Sequence, residues 1–264
     1  MKIDLSGKTA LITASTAGIG LAIAQGLAES GASVLLNGRS AGSMAKAKNK
    51  LLALYPQAQV SGIAADLSTG AGADQLIAAL PSVDILVNNA GIYSPQDFFA
   101  TDDATWERYW QTNVMSGVRL ARALLPAMVD KGWGRVVFIS SESACNIPAD
   151  MVHYGVTKTA QLALSRGLAK RVAGSGVTVN SVLPGPTISD GFAEMMAEEV
   201  ARTGKSLETL AREFVMANRP SSVIQRAASV EEVANMVVYV CSRQASATSG
   251  AALRVDGGVI DDIV

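Results

Sequence analysis

Short apolar runs alternating with longer amphipathic stretches constrain this chain more than any other feature. Thr9–Thr13 reads as a buried strand, followed by a helical pattern over Gly18–Ser30 that Gly31 closes. Ala32–Asn37 is the next strand and Ser40–Leu54 the next helix, ended by Pro56. Val60–Ala64, Val83–Asn88, Val136–Ser140, Val177–Leu183 and Ala251–Val255 continue the strand series. The clearest helical patterns between them are Asn113–Val129, Tyr154–Ala173 and Val230–Val240. Strands apolar on both faces need cover on both faces, which a parallel sheet flanked by helices supplies. Alternation of this kind implies right-handed crossovers and an α/β fold with a doubly wound parallel sheet. No linker, low-complexity tract or repeat interrupts the pattern, so residues 1–264 are read as one domain.

One stretch breaks the alternation. No strand is evident between Leu183 and Val230. Phe192, Met196 and Val200 recur at helical spacing, as do Leu207, Leu210 and Phe214. Two amphipathic helices are therefore expected within residues 187–229, inserted at the carboxyl end of a strand. Open α/β sheets bind ligands at that end, so the insertion is read as a substrate lid, with Met195 and Met196 as its soft, adaptable side chains.

The bulk numbers exclude several classes. With 49% hydrophobic residues and a formal net charge of −1, the chain has ample core and no basic footprint for nucleic acid or an anionic membrane. Two cysteines, Cys145 and Cys241, make no disulfide framework. The N-terminus carries charges where a leader would be apolar, and no apolar run reaches the length of a membrane span. A cytoplasmic protein is the resulting expectation.

Strand Thr9–Thr13 runs into Ala14-Ser15-Thr16-Ala17-Gly18-Ile19-Gly20 and then a helix. Small residues let a backbone approach a pyrophosphate, and the helix N-terminus offers it free N–H groups and positive dipole. Placement after the first strand strengthens an otherwise weak glycine signal. An NAD site usually adds an acidic residue about 20 residues further on, for the ribose 2′-hydroxyl. Here the second strand ends Asn37-Gly38-Arg39-Ser40, with no acid. Arg39 offers a guanidinium fork suited to a 2′-phosphate, and Ser40 a hydroxyl. NADP(H) is favoured and NAD(H) stays open.

Tyr154 and Lys158 lie four residues apart near the start of a helix, hence on one face. A nearby ammonium favours phenolate, so Lys158 is expected to lower the Tyr154 pKa from its usual value. Such a phenol exchanges a proton with an alcohol or alkoxide. Tyr-x-x-x-Lys alone is a frequent accident on helices. Beside it, however, stand Thr13-to-Gly20, Asp66-Leu67, Asn88-Asn89-Ala90-Gly91, Asn113, Ser140-Ser141, Pro184-Gly185 and Val255-Asp256-Gly257-Gly258. In this order and spacing the sequence resembles the classical short-chain dehydrogenase/reductase family over essentially its full length.

The resemblance implies a single-domain Rossmann-type fold and a hydride-transferring oxidoreductase acting on a carbonyl/alcohol pair. It implies that Tyr154 is the general acid/base, that Lys158 binds the nicotinamide ribose and tunes Tyr154, and that Ser141, rather than Ser140, holds the substrate oxygen. Asn113 would hold a water linking Lys158 to solvent. Ser15, Thr16, Gly18, Ile19 and Gly20 would meet the pyrophosphate, Asp66 and Leu67 the adenine, and Asn89, Ala90 and Gly91 the adenosine ribose. Pro184, Gly185 and Thr187 would close over the nicotinamide. Asn88 has a plainer reading as a strand brace, and Gly257-Gly258 as a C-terminal turn. A homotetramer is also implied, with helices Asn113–Val129 and Tyr154–Ala173 supplying small and apolar contact surface.

Two departures stand out. Ala14 replaces the family's first turn glycine, so the turn must hold it at negative φ or carry strain. Ala17 replaces a second basic residue of many NADP-preferring members, leaving selectivity to Arg39. His153, the only histidine, is assigned to the pocket wall or the surface, and no residues have metal-ligand spacing. Carrier-protein reductases of the family dock an acidic partner through two arginines, and the corresponding positions here are Gly132 and Ser175. A free small or medium carbonyl substrate is therefore favoured over the alternative, a 3-oxoacyl-[acyl-carrier-protein] reductase. A non-catalytic nucleotide sensor on the same fold is the rival from another class, set against retention of Asn113, Ser141, Tyr154 and Lys158.

Overall fold

The computed structural model describes residues 2–263. Seven strands form one parallel sheet: β1 (Thr9–Ile12), β2 (Ser33–Gly38), β3 (Val60–Ala64), β4 (Ile85–Asn88), β5 (Gly134–Ile139), β6 (Val177–Pro184) and β9 (Ala252–Val255), in the order β3-β2-β1-β4-β5-β6-β9. Every residue of β4, β5 and β6 is buried, as strands covered on both faces require. On one face α1 (Gly18–Glu29) packs against α9 (Val230–Cys241) through Ile23, Leu27, Val233 and Val237. On the other, α3 (Gly70–Ala78), α5 (Ser116–Asp130) and α6 (Val152–Arg171) cover Leu86, Val136 and Phe138 through Leu76, Leu120, Leu168 and their neighbours. Each such fully buried side chain contributes about 1.5–3 kcal/mol. Helix α2 (Ala41–Leu54) leans on β2 and β3. The strand order reverses between β1 and β4, so the crevice for a ligand opens at their carboxyl ends.

The insertion holds two helices, α7 (Asp190–Thr203) and α8 (Leu207–Asn218), capped by Ser189 and Ser206. They share a small core of Phe192, Ala211, Val215 and Ala227, with Phe192 edge-on to Phe214 at 5.6 Å. The expectation of a strand-free insertion is corrected at its roots. Strand β7 (Thr187–Ile188) pairs in parallel with β8 (Ala228–Ser229), tying the two ends of the lid together. Two residues are too few to leave a sequence period.

A second correction concerns Asn113–Val129. The chain enters through α4 (Asp103–Tyr109), runs through a π turn over Trp110–Met115, and only then becomes α5. Asn113 lies inside that wider turn. Among the described residues no helix is long and apolar enough to cross a membrane.

Candidate active site

Thr13 and Asn89 fasten the phosphate turn to the sheet. The Thr13 Oγ1 accepts from the N–H groups of Asn89 (2.8 Å) and Ala90 (2.9 Å). The Asn89 amide donates to the carbonyls of Thr13 and Ala14, both at 3.1 Å. Held this way, Ala14 sits at φ 49° rather than at negative φ, the strained alternative, at about 1–2 kcal/mol. Ser15 is wholly buried; its hydroxyl donates to the Ile12 carbonyl (2.8 Å) and accepts from the Asn37 N–H (3.0 Å), bracing the turn. A Cβ at Gly20 would lie 2.5 Å from the Ala14 carbonyl oxygen, so only glycine fits. Ala17 puts no capping side chain on α1, and its first turn carries no acid. That bare positive helix end suits a pyrophosphate. A lid residue reaches it: the Asp190 carboxylate accepts from the Gly18 N–H at 2.6 Å.

At the ribose end Arg39 is exposed beyond β2. Ser40 caps α2, accepting from the Ser43 N–H at 3.2 Å, so its hydroxyl is already engaged. Hydrogen bonds from Ser68 hold the Asp66 carboxyl below its ordinary value, with the Arg39 charge adding to the effect. Leu67 is buried in the core beneath. Thr16 lies against Gly38, where a Cβ would come 2.5 Å from the Thr16 Cγ2.

The chemistry-bearing residues gather on α6 and the loop after β5. Tyr154 lies at the cavity wall, its ring 6.1 Å from that of Tyr93. Lys158 is buried, donates to the Ile139 carbonyl (2.9 Å) and the Gln161 Oε1 (3.4 Å), and places its Nζ 5.5 Å from the Tyr154 ring centre. The expected lowering of the Tyr154 pKa is not found. Loss of solvent around its hydroxyl raises it, while Ser141 pulls the other way. Burial also pulls Lys158 down from 10.5 to about 7. Each group is pushed toward its neutral form, a balance that tertiary burial sets and spacing does not. Both Ser140 and Ser141 border the cavity, but the Ser140 hydroxyl donates to the Lys158 carbonyl at 2.9 Å, a structural brace.

Asn113 is committed to the protein. Its Oδ1 accepts from the Ile92 N–H (2.8 Å), and its Nδ2 donates to the Ile92 carbonyl and the Thr157 hydroxyl, both at 3.0 Å. These bonds set the loop after β4 against α6. Neither amide atom of Asn88 has a hydrogen-bond partner among the described residues, so its side chain does not brace the strands as expected. Gly257 and Gly258, at φ 67° and 77°, shape the C-terminal turn. His153 is neither pocket wall nor surface. It is 1% exposed, with Tyr109 edge-on at 4.3 Å and Trp106 at 6.3 Å, because one residue along a helix turns it away from Tyr154. Burial and the Arg108 charge hold it below its ordinary pKa.

A cavity of about 340 Å³ joins much of this set: Ile19, Asn89, Gly91, Ser141, Tyr154, Lys158, Pro184, Gly185 and Thr187 line it, and lid residues Phe192, Met195 and Phe214 roof it. Met196 instead packs into the lid core. Ser15, Thr16, Gly18, Gly20, Arg39, Ser40, Asp66, Leu67, Ala90 and Asn113 lie outside it, in the phosphate turn, at the adenosine end or behind the wall. Two residues that sequence reasoning missed also line it, Glu142 and Arg219, joined by a 2.7 Å ion pair. The one available signal was an acidic side chain immediately after a wholly buried strand and Ser141.

A doubly wound sheet whose phosphate turn and phenol–amine pair open onto one cavity defines a class, the NAD(P)-dependent dehydrogenases and reductases acting on the CH–OH/C=O pair. Within that class the chain belongs to the short-chain dehydrogenase family, whose model matches residues 8–200. It is 44% identical over 263 residues to the oxidoreductase YvaG of Bacillus subtilis (strain 168), covering 100% of both chains. It is 33% identical to the 3-oxoacyl-[acyl-carrier-protein] reductase FabG of Aquifex aeolicus (strain VF5), over 98% of this chain and 100% of that one. Its structure is similar to L-sorbose reductase from Gluconobacter frateurii complexed with NADPH and L-sorbose, with a TM-score of 0.92, 33% identity and 100% of each chain covered.

This geometry carries two expectations. Removing the Asp190 charge with Asp190→Asn should tighten NADPH binding about two- to fivefold, since a carboxylate no longer competes for the helix end. A fluorescence titration that shows unchanged or weaker binding would contradict this. The second concerns Lys158, whose folded pKa near 7 lies below its ordinary value of 10.5. Over that interval the unfolded chain binds the additional proton, so raising the pH stabilises the fold, and below 7 the full penalty of burying the charge applies. Denaturant unfolding of the ligand-free protein should therefore show wild type gaining stability on Lys158→Met as pH rises from about 7 to 10. A gap that does not change with pH would rule this out.

Proposed function

We propose that the protein is an NADP(H)-dependent oxidoreductase that transfers a hydride between the cofactor and a small or medium carbonyl/alcohol substrate, with Tyr154 as general acid/base. The observation that carries this reading is the meeting of Ser141, Tyr154 and Lys158 on one cavity wall, across from the lid. The nicotinamide cofactor, when bound, supplies or accepts the hydride. Ser141 orients the carbonyl oxygen beside the phenol. A raised pKa keeps the proton on Tyr154 until an alkoxide, a far stronger base, takes it, which suits the reductive direction. Lys158 holds the ribose and returns the proton, and Asn113, while positioning Ile92, keeps one Oδ1 lone pair for the relay water.

The N-terminus of α1, which has no cap of its own and is met by the Asp190 carboxylate of the lid, fits a pyrophosphate held by Ser15, Thr16, Gly18, Ile19 and Gly20, with Ser15 acting through the turn it braces. Arg39 and Ser40 are assigned to the 2′-phosphate, Asp66 and Leu67 to the adenine, Asn89, Ala90 and Gly91 to the ribose, and Pro184, Gly185 and Thr187 to the nicotinamide. The NADPH-bound neighbour supports NADP(H) over NAD(H). Residues 1–264 are taken as one domain, with 187–229 as its substrate lid. The free thiols Cys145 and Cys241 suit a cytoplasmic setting. The test is a panel of ketones and alcohols assayed at 340 nm with NADPH, NADH, NADP and NAD. Cofactor binding without turnover anywhere on the panel would replace this reading with a nucleotide sensor.

The same reading includes a homotetramer. Trp110, Val129 and Val156 remain exposed on and beside α5 and α6, apolar surface that a partner subunit would cover. Light scattering at micromolar concentration should give a mass about four times that of the chain, and a monomer alone would refute it.

A further inference from the structure

We propose that Glu142 and Arg219 form a polar clamp that selects a neutral polyhydroxy ketone as substrate, in preference to an apolar ketone or a keto acid. This rests on the reductase reading above. Glu142 directly follows Ser141, so its carboxylate lies one residue from the hydroxyl assigned to the reacting oxygen. Arg219 comes from the far side, at the end of α8. The Arg219 Nε donates to the Glu142 Oε1 at 2.7 Å, and the two side chains are 15% and 4% exposed. The Glu142 Oε2 accepts from the Ser143 hydroxyl at 3.1 Å.

A buried ion pair seldom contributes much net stability, because desolvation offsets the attraction. Its place on the wall of the substrate cavity gives it another use. The Arg219 Nη1 donates to the Asn218 carbonyl at 2.8 Å, while Nη2 has no hydrogen-bond partner among the described residues. A carboxylate offers about four acceptor positions and only two are taken here. A substrate hydroxyl can donate to Glu142 and accept from Arg219 at once, which a ketone or ether oxygen cannot.

The charge balance selects further. Glu142 already neutralises Arg219, and Asp150 adds a second carboxylate to the cavity wall. A keto acid would bring a further negative charge to a site whose remaining basic group, Lys158, is assigned to the cofactor ribose. An apolar ketone would leave the pair desolvated with nothing in return. Sites built to bond a substrate hydroxyl discriminate strongly against analogues that lack it. Because Arg219 belongs to the lid, the clamp completes the site only when the lid lies over the cavity.

The test compares kcat/KM with NADPH for fructose, 2-hexanone and 5-oxohexanoate, ketones of equal carbon number. Wild type is expected to favour fructose by about tenfold or more over both others. Glu142→Gln and Arg219→Met should collapse the fructose-to-hexanone ratio, chiefly through KM, and Glu142→Asp should restore part of it. If a variant fails to fold, the wild-type order decides alone. Turnover without preference for fructose, or a ratio that survives both substitutions, overturns the clamp and leaves the reductase reading standing. No NADPH oxidation with any ketone, here or on the wider panel, overturns both.

Discussion

Replacing Tyr154 by phenylalanine is expected to lower kcat by about 10²–10⁴-fold while leaving the affinity for NADPH nearly unchanged. The substitution removes one hydroxyl and keeps the ring, so the packing against Tyr93 at 6.1 Å persists. What is lost is the one acidic proton proposed to pass to the substrate oxygen. Ser141 cannot replace it, since an aliphatic hydroxyl is a much weaker acid than a phenol. Lys158 cannot either, because two of its donors are held by Ile139 and Gln161 and the third is assigned to the ribose and to returning a proton to the phenol, not to the substrate oxygen. Steady-state kinetics on any ketone the wild type reduces, together with a fluorescence titration of NADPH, separate the two effects. Substantial turnover by purified Tyr154→Phe would sink the assignment of the acid/base.

The second large effect is on cofactor choice. Arg39→Leu should lower kcat/KM for NADPH about tenfold to hundredfold, the worth of a charge-assisted hydrogen bond of roughly 1.5–3 kcal/mol, and leave NADH nearly untouched. Arg39 is exposed at the end of β2, and its charge is felt by Asp66 at the proposed adenosine end. Building a carboxylate at Gly38 to reverse the preference is a poorer test. Its Cβ would meet the Thr16 Cγ2 at 2.5 Å and displace a residue assigned to the pyrophosphate, harming both cofactors. If the parent enzyme prefers NADH, or Arg39→Leu keeps its preference for NADPH, Arg39 is a surface arginine and the selectivity lies elsewhere.

The central strands of the main sheet were legible because burial on both faces favours short apolar runs, and β5 and β6, though they carry Arg135, Thr178, Asn180 and Ser181, have no exposed residue. Tyr154 and Lys158 were legible as a pair because helical spacing alone puts them on one face. Their protonation was not, since it depends on how much solvent the lid and neighbouring loops leave around them. Glu142 and Arg219 stand 77 residues apart and belong to no motif, so only the folded lid brings them together. The β7–β8 pairing escaped notice because each strand is two residues long. His153 was misplaced because its surroundings, Trp106 and Tyr109, arrive from a helix distant in sequence.

A π turn is an α-helix carrying one residue too many, and Trp110–Met115 is such a turn. Each helical residue advances the chain by about 100° around the axis. The surplus residue therefore fixes the angle between the helical segments on its two sides. On the near side, Trp106 and Tyr109 face His153; within the turn itself, Asn113 faces Ile92 and Thr157. Deleting any of the turn's residues other than Asn113 would relax the segment to an ordinary helix and swing those two sets of contacts out of phase. At this point of the chain the active site depends on the number of residues as well as on the identity of Asn113.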